Sequence, residues 1–138
     1  MKIFYALISL ILATTAVADP LRLILVPQQV VISHDAETKF DVYLYNDSDS
    51  AVSVPSLESF RALYTIRSEG TDDARVESDF RKFSQPIKEH VLKAHRVDHT
   101  IITIQFSPGD GDYLELSIEV GSKRTLRSNS VIMLAHQP

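Results

Sequence analysis

A chain of 138 residues with 18 acidic and 14 basic side chains is acidic overall, at net −4, and contains no cysteine. One domain of this size can bury about two-thirds of its unfolded surface without metal or disulfide staples, and the lack of thiols excludes zinc–thiolate sites, thiol nucleophiles and CxxC redox chemistry. The acidic balance repels phosphate backbones and anionic lipid, and no dense basic patch offsets it; the nearest is Lys123-Arg124 with Arg127.

Residues 1–18 have the form of a secretory signal peptide. Lys2 gives a short basic start, Ile3 to Ala13 an almost unbroken apolar run, and Ala16-Val17-Ala18 a small-x-small cleavage site. The run is shorter than the roughly 20 residues of a spanning helix, so cleavage between Ala18 and Asp19 is expected rather than a retained anchor. The mature domain, 19–138, has no second apolar run of spanning length and is expected to be soluble, periplasmic or extracellular.

Beyond the leader, apolar residues recur mostly with period two, the strand signature. Leu21, Leu23 and Leu25 alternate with Arg22 and Ile24 until Pro27, and Val30-Val31-Ile32 follows. A proline-broken strand suits a sheet edge, where the missing N–H costs no ladder bond. Phe40, Val42 and Leu44 form the next strand, ended by the polar turn Asn46 to Ser50. Val52 and Val54 lead to Pro55, and Leu63 to Arg67 gives a further short strand. Between Asp72 and Ser84, Val76, Phe80 and Phe83 fall at helical spacing before Pro86. The spacing predicts either a short helix near 74–84 or a loop pinned by the two phenylalanines. Strands are then expected at Ile87 to Leu92, around Ile102, Ile104 and Phe106, at Leu114 to Val120 and at Val131 to Ala135.

Seven or eight short strands separated by turn signals predict an all-β fold, a two-sheet antiparallel sandwich forming one domain. Three cues support a family likeness: the turn at Asn46, Pro108-Gly109-Asp110-Gly111-Asp112-Tyr113, and Leu126-Arg127-Ser128-Asn129-Ser130-Val131. On these the chain resembles bacterial exported immunoglobulin-like or fibronectin-III-like domains, which often read "PGxYxL" and "SNxV" in the latter two places. The resemblance implies architecture and no functional residue. It also has a departure: Tyr113 is one residue out of phase with the inward set Leu114, Leu116 and Ile118, so either Leu114 takes the corner position or a bulge intervenes.

No GxSxG, HExxH, P-loop or dinucleotide turn is present. His34-Asp35 reads as a solvated loop pair, since neighbours on an extended chain point apart. His90, His95 and His99 read as surface and turn histidines rather than metal ligands. The DxD pairs Asp47/Asp49 and Asp110/Asp112 read as polar turns at opposite ends of the sandwich, too far apart to share a calcium ion. Asn46-Asp47-Ser48 is a formal glycosylation sequon, of consequence only in a eukaryotic host. Tyr43 and Tyr45 face outward and are expected to be covered by the segment carrying Phe80 and Phe83.

These readings point to a non-catalytic interaction module with no cofactor, metal or catalytic residues. Its expected partner is another protein, bound through loops or a sheet edge, with the strand around Pro27 the first candidate edge. Two alternatives remain at this stage. One is a proteinase inhibitor presenting the 71–85 loop, and the other a carbohydrate-binding module.

Overall fold

The alternation of apolar and polar residues becomes strand pairing along the chain. The computed structural model describes residues 19–32, 37–68, 74–79, 87–106, 112–121 and 125–135, the side chains of 68 and 74–79 excepted. Within them the chain forms β1 (Leu21–Pro27), β2 (Val31–Ile32), β3 (Glu37–Asn46), β4 (Val52–Pro55), β5 (Phe60–Ser68) and β6 (Ala74–Asp79). It continues with β7 (Glu89–Leu92), β8 (Val97–Gln105), β9 (Asp112–Val120), β10 (Leu126–Arg127) and β11 (Val131–Ala135). The all-β expectation holds. The strands outnumber the expected seven or eight because short pieces such as β2 and β10, two residues each, add to the long ones.

One sheet has the order β1-β3-β8, a second the order β2-β11-β9-β5-β6 with β10 on β9, and β4 pairs with β7 alone. Every pairing is antiparallel except β2 with β11. The expected helix near 74–84 is corrected over its first half: Ala74 to Asp79 pairs with Arg67 to Ala62 of β5. Helical spacing of three apolar residues loses here to ladder bonds, because β5 would otherwise leave a row of backbone groups unpaired. Phe80 and Phe83 lie outside the described residues.

The inner faces carry the core. Leu21, Leu23 and Leu25 of β1 join Phe40, Val42 and Leu44 of β3, facing Ala62 and Ile66 of β5 and Leu114, Leu116 and Ile118 of β9. Phe106, just after β8, bridges the two layers. Its ring meets Phe40 edge-on at 6.3 Å and Tyr64 of β5 edge-on at 5.4 Å, geometry that adds about 0.5–1.5 kcal/mol per pair beyond area burial. Leu114 takes the inward position at the start of β9 and Tyr113 stands exposed on the outer face, so the phase departure read from the sequence is real.

Two polar links hold the sandwich. Asn46, fully buried at the end of β3, places its amide nitrogen 2.8 Å from Ser50 O and 3.1 Å from both Leu92 O and Lys93 O. Its Oδ1 accepts from the backbone N–H and hydroxyl of Ser48. One amide thus ties the β3–β4 turn to the β7–β8 turn, where His95 adopts a left-handed φ of 54°. The second link is the Ser128-Asn129 pair. Ser128 exchanges backbone and hydroxyl bonds with Ile118 of β9, while Asn129 both accepts from Leu25 N–H at 2.8 Å and donates to Leu25 O at 3.0 Å. The SNxV cue therefore joins one sheet to the edge of the other.

Replacing Asn46 by Ala takes this donor from the buried Leu92 carbonyl and the part-buried Ser50 and Lys93 carbonyls. The expected cost is roughly 2–4 kcal/mol, read as a lower urea midpoint at unchanged slope.

Candidate functional site

The hydrogen-bonding phase of β3 decides what faces solvent. Asp47 N–H donates to Pro20 O and Gln28 N–H to Lys39 O, so the odd residues of β3 bond to β1. Asn46 N–H donates to Arg96 O, so the even residues bond to β8. Leu21, Leu23, Leu25 and Pro27 therefore turn their backbone groups to the free edge of β1. That edge is largely closed: Asp19 Oδ1 accepts from Leu21 N–H, Asn129 takes both groups of Leu25, and Pro27 has no N–H to offer. β1 is an edge strand, as its proline suggested, but its central peptide is already in use.

The outer face of the same sheet is different. Cross-strand register aligns Arg22, Tyr45 and Val97 in one row, Ile24, Tyr43 and His99 in the next, and Val26, Asp41 and Ile101 in a third. Ile24 and Val26 are each 41% exposed, Val97 51% and Ile101 53%. An apolar patch so spans three strands, with Tyr43 and Tyr45 half-buried at its centre. The described part of the insert, β6, lies at the edge of the other sheet. What packs beside Tyr43 is His99, stacked at 4.7 Å with 22° between ring planes; the two sit in a non-hydrogen-bonded pair, where side chains approach most closely.

Each histidine of the 90–99 cluster is held by its own aspartate. His90 Nε2 meets Asp98 Oδ2 at 2.5 Å, His95 Nε2 meets Asp49 Oδ1 at 2.9 Å, and His99 Nε2 meets Asp41 Oδ1 at 2.7 Å. Among the described residues no three metal-ligating side chains converge. His90, Asp98 and His99 line a shallow cleft of about 260 Å³ with Ser56, Leu57, Glu58 and Thr100. Ser56 shares this cleft with a His–Asp pair, yet its hydroxyl accepts from Glu58 N–H at 3.4 Å. No hydrogen bond links it to His90 among the described residues, so the geometry of a nucleophilic triad is not assembled.

The remaining sequence candidates fall apart in space. Asp47 binds Arg22 at 2.8 Å, while Asp49 is held by His95. The end of β8 nearest Asp112 in sequence pairs with Glu37, at the opposite end of β3 from Asp47. Asp112 itself is buried at the start of β9, and Asp110 lies outside the described residues. The Asn46 sequon nitrogen is enclosed and hydrogen-bonded, hence inaccessible to a glycosyl transferase in the folded chain. His34 and Asp35 lie outside the described residues. Of the 71–85 loop, 74–79 is strand β6 and the rest is not described. The roles of Asp41 and Asp98, and the partner of Asn129 in the SNxV cue, were not legible in the sequence, since none of these bonds joins residues nearer than eight apart.

These features define a two-sheet, largely antiparallel β-sandwich with exposed apolar residues on the outer faces of both sheets, Ile24, Val26, Val97 and Ile101 on one and Val31, Tyr113, Ile132 and Leu134 on the other. No protein-family model matches the chain, and no curated protein matches it in sequence. Among solved structures it superposes on the sporulation control protein Spo0M from Bacillus subtilis with TM-score 0.56 at 5% identity, covering 86% of this chain and 50% of that one. It also aligns with the CARDB domain of PF1109 from Pyrococcus furiosus, at TM-score 0.42 and 12% identity over 85% of this chain and 94% of that one. The chain spans half the length of Spo0M, and at 5% identity the likeness to it is one of fold alone.

Asp41 accepts from His99 and, through its other oxygen, from Gln28 Nε2 at 3.1 Å. These bonds favour the carboxylate and hold its pKa below the usual 3.8, the His99 bond contributing most. A depressed folded pKa adds stability that is present above the unfolded value and lost as pH falls through the folded one, so the loss belongs below about pH 4. By carbon-13 NMR the Asp41 carboxyl should titrate at lower pH than an ordinary aspartate. His99→Phe, which keeps the ring stack and removes the donor, should move it upward.

Proposed function

We propose that the chain is an exported immunoglobulin-like or fibronectin-III-like domain that binds another protein and performs no catalysis itself. The supporting observation is the apolar outer face of the β1–β3–β8 sheet, where four aliphatic side chains flank two tyrosines in register across three strands. Exposed contiguous apolar surface of this kind marks interaction sites more often than chance exposure of single residues. The strand order supports this reading: the first, third and eighth strands in one sheet and the eleventh, ninth, fifth and sixth in the other are compatible with a Greek-key sandwich of the immunoglobulin kind. With the centre of the β1 edge occupied by Asn129, the face is a better binding surface than strand addition at Pro27.

Export in this reading removes residues 1–18, and the N-terminus of the protein recovered outside the cytoplasm should read Asp19-Pro20 by mass spectrometry. The binding role is tested by immobilising the protein, cross-linking it in an extract of its native compartment and comparing retention with Ile101→Glu. Because Ile101 is exposed, the variant should melt within about 3 °C of the parent. Retention of the dominant partner should drop at least about tenfold, as expected when a charge enters an apolar contact. Equal retention by both proteins would remove the face from consideration.

A further inference from the structure

We infer that the free edge of β8 takes an extended segment of the partner protein as an added antiparallel strand, with a lysine or arginine of that segment entering the cleft beside Asp98. This rests on reading the chain as a protein-binding module and specifies the kind of segment bound. The pairing phase decides which groups are available. Asn46 N–H donates to Arg96 O, so the even residues of β8 bond to β3. Val97, His99 and Ile101 therefore turn their N–H and C=O groups away from β3. Among the described residues these groups have no hydrogen-bond partner. Thr103 and Gln105, further along, have interactions of their own, which confines the open edge to 97–101. The β1 edge shows the contrast: Asp19, Pro27 and Asn129 close its backbone, whereas 97–101 has no proline and no such cap.

A strand laid along this edge alternates its side chains as β8 does. Those opposite Val97, His99 and Ile101 extend the outer face, where Val97 and Ile101 are exposed, so apolar residues suit them. Those opposite Asp98 and Thr100 turn into the cleft of about 260 Å³ that these two share with Glu58 and His90. Two carboxylates line it, with no lysine or arginine. Asp98 gives its Oδ2 to His90, and Glu58 is exposed and forms no ion pair among the described residues. A long cationic side chain complements that lining. A protein of net charge −4 also draws a basic segment from a distance.

A second copy of this chain is a poor occupant. The antiparallel self-pairing that uses all three open residues has its two-fold axis at His99. It sets His99 against His99 and Asp98 against Thr100 of the other copy, so no cation reaches either cleft. Antiparallel addition matches the other two pairings of this sheet and is slightly the more stable per residue.

The probe is the peptide acetyl-Ser-Val-Lys-Val-Lys-Val-Ser-amide, titrated into the protein to about 5 mM and followed by amide NMR. The expected dissociation constant is about 0.1–1 mM, as suits a short strand with few anchoring side chains. The amides of Val97, His99 and Ile101 should shift most. Replacing both peptide lysines by glutamate should weaken binding at least about tenfold through charge. N-methylating the valines should weaken it as much, by removing the ladder bonds. Glu58→Gln, at an exposed position, should weaken the lysine peptide about threefold with the melting temperature unchanged. No saturable binding of the lysine peptide, equal binding of the glutamate or N-methylated peptide, or shifts confined to other amides would each overturn strand addition. No peptide binding together with Ile101→Glu-sensitive retention would overturn the edge and leave the apolar face as the binding surface. No peptide binding with insensitive retention would overturn both.

Discussion

The structure depends on the way β3 is bonded on both sides. Its odd residues hydrogen-bond β1 and its even residues hydrogen-bond β8. That phase sends Thr38, Phe40, Val42, Leu44 and Asn46 inward, all fully buried, and sends Lys39, Asp41, Tyr43 and Tyr45 outward. A one-residue slip would exchange the two sets, exposing the core and burying two charges. Asn46 resists such a slip from the end of the strand. Its amide fits the turn carbonyls only when β3 stops where it does, and a buried amide left without acceptors is costly.

Edges and faces are treated differently in this molecule. At the β1 edge three devices act together: an aspartate cap, a proline without N–H, and an asparagine that mimics a neighbouring peptide. Natural sheets close edges in this manner to avoid uncontrolled pairing. Among the described residues the outer face of the same sheet has no such devices, and aliphatic side chains stand exposed at both flanks of the tyrosine pair.

The three His–Asp pairs form no common centre, and only His99–Asp41 lies on this face. Each is solvent-accessible, so each contributes little to stability. Their positional effect is larger. The His99–Asp41 pair fixes the imidazole flat against Tyr43, and His90–Asp98 joins β7 to β8 across the cleft where the two strands diverge. His95–Asp49 spans the same corner that Asn46 fastens from within.

Local pattern was enough for the all-β class, the inward leucines of β1, the inward set of β9 with Tyr113 excluded, and the edge character of the strand ending at Pro27. These follow from period-two alternation and from the backbone chemistry of proline, both properties of neighbouring residues. Tertiary structure alone decided the rest. The segment from Ala74 to Asp79 has apolar spacing compatible with a helix, and only the open side of β5 makes it a strand. Asn129 lies 104 residues from Leu25, and Asp41 lies 58 residues from His99. No local rule can pair groups so far apart, because their meeting is fixed by strand register, and register is set by the whole core closing at once.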